Sequence, residues 1–167
     1  MSENQTLVEP AAWTVDDAVS HYMIDRWGGG YFTVDPEGRV VVAPLQDKGG
    51  TIPVIDVLRE ALDQGLHTPM LIRFQDILRH RVESINHAFR SSIAEFNYQG
   101  KYRGVFPIKV NQLHEVVDEL LDAGRPYGMG LECGSKAELI ASLPQIDGET
   151  LLVCNGVKDR TMLSLMI

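Results

Sequence analysis

The sequence predicts an α/β fold with a parallel sheet, and three observations point to it. From Thr68 onward, short apolar runs alternate with amphipathic helical stretches, the pattern of consecutive β/α units. Glycines or capping residues punctuate the helical stretches, as helix ends require. Hydrophobic residues make up 44% of the 167 positions and charged residues 23%, near the globular average, so there is material for a core.

Residues 1–12 are polar and aperiodic and read as a flexible tail. Thr14 and Asp17 have capping-box spacing, which predicts a helix running to about Trp27, where Gly28-Gly29-Gly30 stops it. Tyr31–Val34 and Arg39–Val42 are β-rich runs around Asp35-Pro36-Glu37-Gly38, the residues of a hairpin turn. Val54, Val57, Leu58, Ala61 and Leu62 recur at helical spacing until Gly65. This helix–hairpin–helix segment, 13–65, precedes a β/α segment, 66–167. In the latter, Met70–Phe74 is the first predicted strand. The following helix carries Ile77, Leu78, Val82, Ile85, Phe89, Ile93 and Phe96 as a core stripe and Arg79, Glu83, Asn86 and Arg90 on the other side. Tyr102–Val110, Met129–Glu132 and Leu151–Cys154 are the next strands. Each is followed by a helix, at Leu113, Ser135 and about Lys158, giving about four β/α units. The last residues, Leu163–Ile167, are an apolar helical run without a cap, which predicts that a longer protein continues from here. Four such units suit either a small open doubly wound sheet or half of an eight-stranded barrel.

The charge balance narrows the function classes. Fifteen Lys and Arg against 23 Asp and Glu give a net charge of -8, the wrong sign for a protein that neutralises nucleic-acid phosphates. Nucleic acid is not an expected partner. No apolar run approaches the ~18–20 residues that span a bilayer, and the N-terminus lacks a signal-peptide pattern, so a soluble cytoplasmic protein without a membrane partner is expected. Two cysteines, Cys133 and Cys154, are too few for a disulfide framework and read as small core residues at strand ends.

Lys109 is the most informative position. It stands at the end of an apolar strand run, Val105–Asn111. An ammonium buried in such a place is pushed toward the neutral amine, the form that attacks an aldehyde, whereas a strand-end lysine reaching into solvent is the structural alternative. Glu132 ends the next strand. If the two strands are neighbours, its carboxylate shares the C-terminal rim with Lys109, where it could orient the amine or exchange a proton with it. Ser135 and Glu138 have capping-box spacing, a structural reading in itself. Gly128-x-Gly130 lacks the dinucleotide fingerprint, and His80 and His87 are two helical turns apart, too far for one metal ion.

Tyr31–Val34, Thr68–Leu78, Phe106-Pro107-Ile108-Lys109-Val110-Asn111-Gln112, Gly130–Leu139 and Cys154–Asp159 together resemble the N-terminal part of the biosynthetic arginine decarboxylases, with the likeness running from about Trp13 onward. The resemblance implies an alanine-racemase-like (β/α)8 barrel, present here as its N-terminal part and preceded by a helix and hairpin of an accessory β domain. It implies pyridoxal-phosphate-dependent decarboxylation of L-arginine to agmatine and CO2 for polyamine synthesis. Lys109 would form the Schiff base with the cofactor, and Glu132 would have a catalytic role beside it. By similarity to the related ornithine decarboxylases, Asn111, Glu132 and Glu138, with Ser135 in the same motif, would lie near the cofactor. The family also uses magnesium, whose ligands no spacing here identifies, and builds its sites in homo-oligomers. Family members are several times longer, so this chain alone is expected to have little activity. A decarboxylase of ornithine or diaminopimelate, and a silent binding or regulatory fragment, are the alternatives.

Overall fold

The computed structural model describes residues 12–167, so nearly all of the expected tail lies outside the described residues. The chain divides into two compact units, Met1–Ile72 and Arg73–Ile167.

In the first unit Thr14 caps α1 (Val15–His21). Its hydroxyl accepts from the Asp17 amide at 3.1 Å, and the Asp17 carboxylate accepts from the Thr14 amide at 2.9 Å, so two N–H groups without helical partners are satisfied reciprocally. The single helix expected to Trp27 is two helices. Met23 turns left-handed, with φ 52°, and α2 (Ile24–Trp27) starts afresh, which leaves Tyr22 and Met23 exposed and Ile24 buried. At Gly28 an added Cβ would lie 2.5 Å from the Ile24 carbonyl oxygen and 2.6 Å from that of Phe32, so only glycine lets the chain fold back here. β1 (Phe32–Val34) and β2 (Val40–Val42) form the predicted antiparallel hairpin, its turn closed by the Gly38 amide on the Asp35 carbonyl at 2.9 Å. A short strand not foreseen from sequence, β3 (Ile52–Pro53), pairs with β2 before α3 (Val54–Asp63).

Met70–Phe74, the first predicted strand, is irregular, and Leu71 is exposed. A strand exists through its ladder, and no neighbour pairs with this stretch among the described residues. The second unit therefore holds three parallel strands where four were expected. They are β4 (Val105–Pro107), β5 (Gly130–Cys133) and β6 (Leu152–Cys154), in that spatial order. β4 is much shorter than the Tyr102–Val110 run. Helices α4 (Gln75–Glu95), α5 (His114–Gly124), α6 (Lys136–Ser142) and α7 (Arg160–Met166) accompany the sheet.

Ile108, Val117, Leu131, Cys133, Leu139 and Met162 make one core cluster, and Val82, Val116, Leu120 and Ala123 another, with Phe106 packed against both. Each fully buried Leu or Ile contributes about 1.5–3 kcal/mol from apolar transfer. The α4 stripe is only partly core. Val82 is buried, but Ile85, Phe89 and Phe96 are exposed, while Asn86, expected on the solvent side, is buried with its amide nitrogen donating to the Val82 carbonyl at 2.8 Å. That local bond satisfies the side chain's donor, which is what makes burial of a polar group tolerable.

Candidate functional site at the C-terminal edge of the parallel sheet

Pro107, Glu132 and Val153 sit side by side in register across the three strands. Side chains alternate along a strand, so Leu131 and Cys133, packed in the core with Val117, Leu139 and Met162, place Glu132 on the opposite face. The Ile108 amide extends the ladder one step past β4 by donating to the Glu132 carbonyl at 3.0 Å. A turn follows, closed by the Val110 amide on the Pro107 carbonyl at 3.0 Å, and Lys109 lies inside that turn.

Lys109 is exposed, which is the solvent-reaching alternative and not the buried ammonium. The strand ends at Pro107, and the neighbour that goes into the core is Ile108. Asn111 is half-buried, and its side-chain oxygen accepts from the Leu113 amide at 3.1 Å, shaping the entry into α5.

The loop after β5 is tightly held. Ser135 caps α6, its hydroxyl accepting from the Glu138 amide at 3.2 Å, while the Glu138 carboxylate accepts from the Gly134 amide at 2.7 Å. The Asn155 amide donates to the Cys133 carbonyl at 2.7 Å, and the Asn155 side chain accepts from the Gly156 amide at 2.8 Å. Gly156 has φ 74°, and any Cβ there would collide with the Gly134 carbonyl oxygen. Lys136 pairs with Asp159 at 2.5 Å and, with the Met162 amide, holds the Asp159 carboxyl below the ordinary carboxylate value.

Two features carry chemical information. Glu132 Oε1 is buried with no hydrogen-bond partner among the described residues, whereas buried carboxylate oxygens ordinarily find one. The Cys133 and Cys154 sulfurs lie 3.6 Å apart, and burial, reinforced by the Cys154 contact and the nearby Glu138 and Glu132 carboxylates, pushes the Cys133 thiol up to about 12. Such a thiol is a core residue with no nucleophilic role.

No family model matches the chain. It is 41% identical over 162 residues to the biosynthetic arginine decarboxylase of Parasynechococcus marenigrum, covering 96% of this chain and 25% of the relative. The enzyme of the same name from Prochlorococcus marinus is 43% identical over 157 residues, 93% of this chain and 24% of the relative. The crystal structure of the biosynthetic arginine decarboxylase of Campylobacter jejuni superposes with a TM-score of 0.78 at 33% identity, covering 86% of this chain and 24% of that one. The chain is homologous to the biosynthetic arginine decarboxylases.

It spans about a quarter of the length of the arginine decarboxylases it matches. Within that quarter the parallel register makes β4 and β5 neighbours, so their C-terminal ends, which carry Lys109 and Glu132, fall on one sheet edge. Ser135, Glu138 and Asn111 stand around that edge with their polar atoms engaged in local backbone bonds. Asn155 and Gly156, which residue-by-residue reading did not select, complete it by tying the loop after β6 to the end of β5. The available signal was an Asn-Gly pair directly after a strand run.

Proposed function

We propose that this chain forms the lysine-bearing part of a pyridoxal-phosphate-dependent decarboxylase that converts L-arginine to agmatine and CO2. The observation that carries this reading is Glu132 Oε1, a buried acceptor without a donor on the strand beside the one that delivers Lys109. An unpartnered buried acceptor and an accessible amine fit a cofactor that brings both an aldehyde and hydrogen-bond donors.

Lys109 Nζ would hold the cofactor covalently. Its exposure means an aldehyde reaches the amine without displacing the core, and the turn behind it fixes its origin. Glu132 Oε1 is poised to accept a hydrogen bond or a proton from whatever binds against it. Ser135 and Glu138 are positioning residues, which hold the loop leading away from Glu132, and Asn111 does the same for the loop beyond Lys109. Bound pyridoxal phosphate supplies the electron sink for the pair left when CO2 departs. Arginine as substrate, a homo-oligomer and a cytoplasmic setting belong to the same reading by kinship. For membranes, no described helix is long and apolar enough to cross one. Among the described residues no three His, Cys, Asp or Glu side chains converge to hold a metal, so magnesium has no assigned ligand and no step here uses it.

The test is absorption spectroscopy of the purified chain with pyridoxal phosphate, then borohydride reduction and peptide mapping. Label confined to Lys109, lost in Lys109→Ala and weakened in Glu132→Ala, is the expected result. Label spread evenly over Lys48, Lys101, Lys136 and Lys158 sinks the proposal. Arginine turnover by the chain alone is expected to be negligible, since it covers about a quarter of its relatives.

A further inference from the structure

The opposite edge of the parallel sheet carries a second constellation. Residues just before β4 and just before β5 meet the C-terminal half of α4 around a cleft of about 610 Å³, within the ~300–1,000 Å³ typical of small-molecule sites. Because the strands are parallel, this edge faces away from the one that bears Lys109 and Glu132.

Three cations line the cleft, Arg90, Lys101 and Arg103, and among the described residues no carboxylate does. Four cations outside the cleft, Arg39, Arg59, Arg79 and Lys136, pair with Asp or Glu, and none of the three cleft cations pairs with a described carboxylate. The cleft arginines are instead anchored by backbone carbonyls. Arg90 donates to Pro126 at 3.2 Å with its guanidinium 4.5 Å from the Tyr127 ring centre, and Arg103 donates through Nε to Gly128 at 2.9 Å. A carbonyl fixes a guanidinium in place without cancelling its charge, which leaves N–H groups and net positive potential for an incoming anion. Gly128, at φ 64°, keeps the space beside Arg103 open, since a Cβ there would stand 3.1 Å from Arg103 Nε. Tyr127 and Tyr102, the latter stacked on Phe89 at 3.8 Å, give the walls aromatic surface.

We propose that this cleft binds a phosphorylated small molecule, with its phosphate on Lys101, Arg103 and Arg90. A compact anion suits it better than a long polyanion, because the net charge of -8 repels extended negative chains while three close cations attract a local one. The phosphate could arrive free or on a nucleotide, whose base the tyrosine walls could take.

Isothermal titration of the chain with inorganic pyrophosphate, ADP and adenosine, at low and moderate salt, tests it. Pyrophosphate and ADP should bind at a single site, with affinity falling as salt rises and adenosine alone failing to bind. Lys101→Gln, an exposed residue whose change leaves the fold intact, should weaken binding severalfold, and Lys101→Gln with Arg103→Gln by roughly tenfold or more. Arg59→Gln, in the other unit, should leave it unchanged. ADP binding tighter than pyrophosphate supports a nucleotide, and equal affinities support phosphate as the whole determinant. No binding at low salt, or equal weakening by Arg59→Gln, overturns the proposal.

Discussion

Cys133 and Cys154 face each other in register on neighbouring parallel strands, sulfur to sulfur at 3.6 Å, and Cys133 directly follows Glu132 at the end of β5. Burial at the end of β5, reinforced by this contact, favours the protonated Cys133 thiol, and this has a measurable consequence. The Cys133 thiol is raised in the folded chain, so between about pH 9 and about 12 the unfolded chain releases a proton that the folded chain keeps. The unfolded state then binds fewer protons, and stability falls as pH rises through that window. Urea melts at pH 7 and pH 10.5 should show this loss, and Cys133→Ala should show a smaller one. Equal losses in the two proteins would count against it. In the native chain at pH 7.5, iodoacetamide should leave Cys133 unmodified until denaturant is added.

Glu132 should be a residue that costs stability. Its unpartnered oxygen forfeits the hydrogen bond it made in water, so Glu132→Met is expected to stabilise the isolated chain by about 1–3 kcal/mol while weakening the proposed binding of pyridoxal phosphate. Chemical denaturation and cofactor titration of the same variant check both halves. A destabilised variant would mean the carboxylate has a partner in solution.

Gly156 is a sharper case, because both its left-handed φ and the Gly134 carbonyl oppose a side chain. Gly156→Ala should cost about 1–3 kcal/mol or more. Gly148→Ala, where an added Cβ meets nothing within 4 Å, should stay within about 0.5 kcal/mol of the parent. Comparable denaturation midpoints for the two variants would refute the close approach.

Arg79 joins α4 to α5 through Glu119 and Asp122, both at 2.7 Å, and its hydrogen bond holds the Asp122 carboxyl below its ordinary value. A depressed carboxyl stabilises the fold at pH values above its unfolded titration and loses that contribution as pH falls through the folded one. Arg79→Gln should therefore be less stable than the parent at pH 7, with the gap narrowing below about pH 4 and in high salt. Thermal melts across that range decide it.

What sequence could reveal here was whatever is encoded within a few residues. The Thr14–Asp17 box, the Asp35–Gly38 turn and the Ser135–Glu138 cap each close on themselves, so spacing alone exposed them. Met70–Phe74 looked like a strand because it is apolar, but a strand needs a distant partner, and composition carries no record of one. Asn86 misled because its burial depends on which side of α4 its neighbours cover, which spacing along the helix does not record, and the bond to Val82 only makes that burial tolerable. At the site, parallel neighbours and strand ends were readable enough to put Lys109 and Glu132 on one edge. The exposure of Lys109 was not, because it follows from where the ladder stops.

That stopping point also bears on how the chain avoids its own kind. The Ile108 amide points to β5, so by alternation the backbone nitrogens of Val105 and Pro107 point to the outer side of β4, where no described strand pairs. Proline has no N–H to give there. A second molecule laying a strand against this flank finds a gap in the donor row after a single residue, which blunts sheet-to-sheet polymerisation at the strand that leads to Lys109.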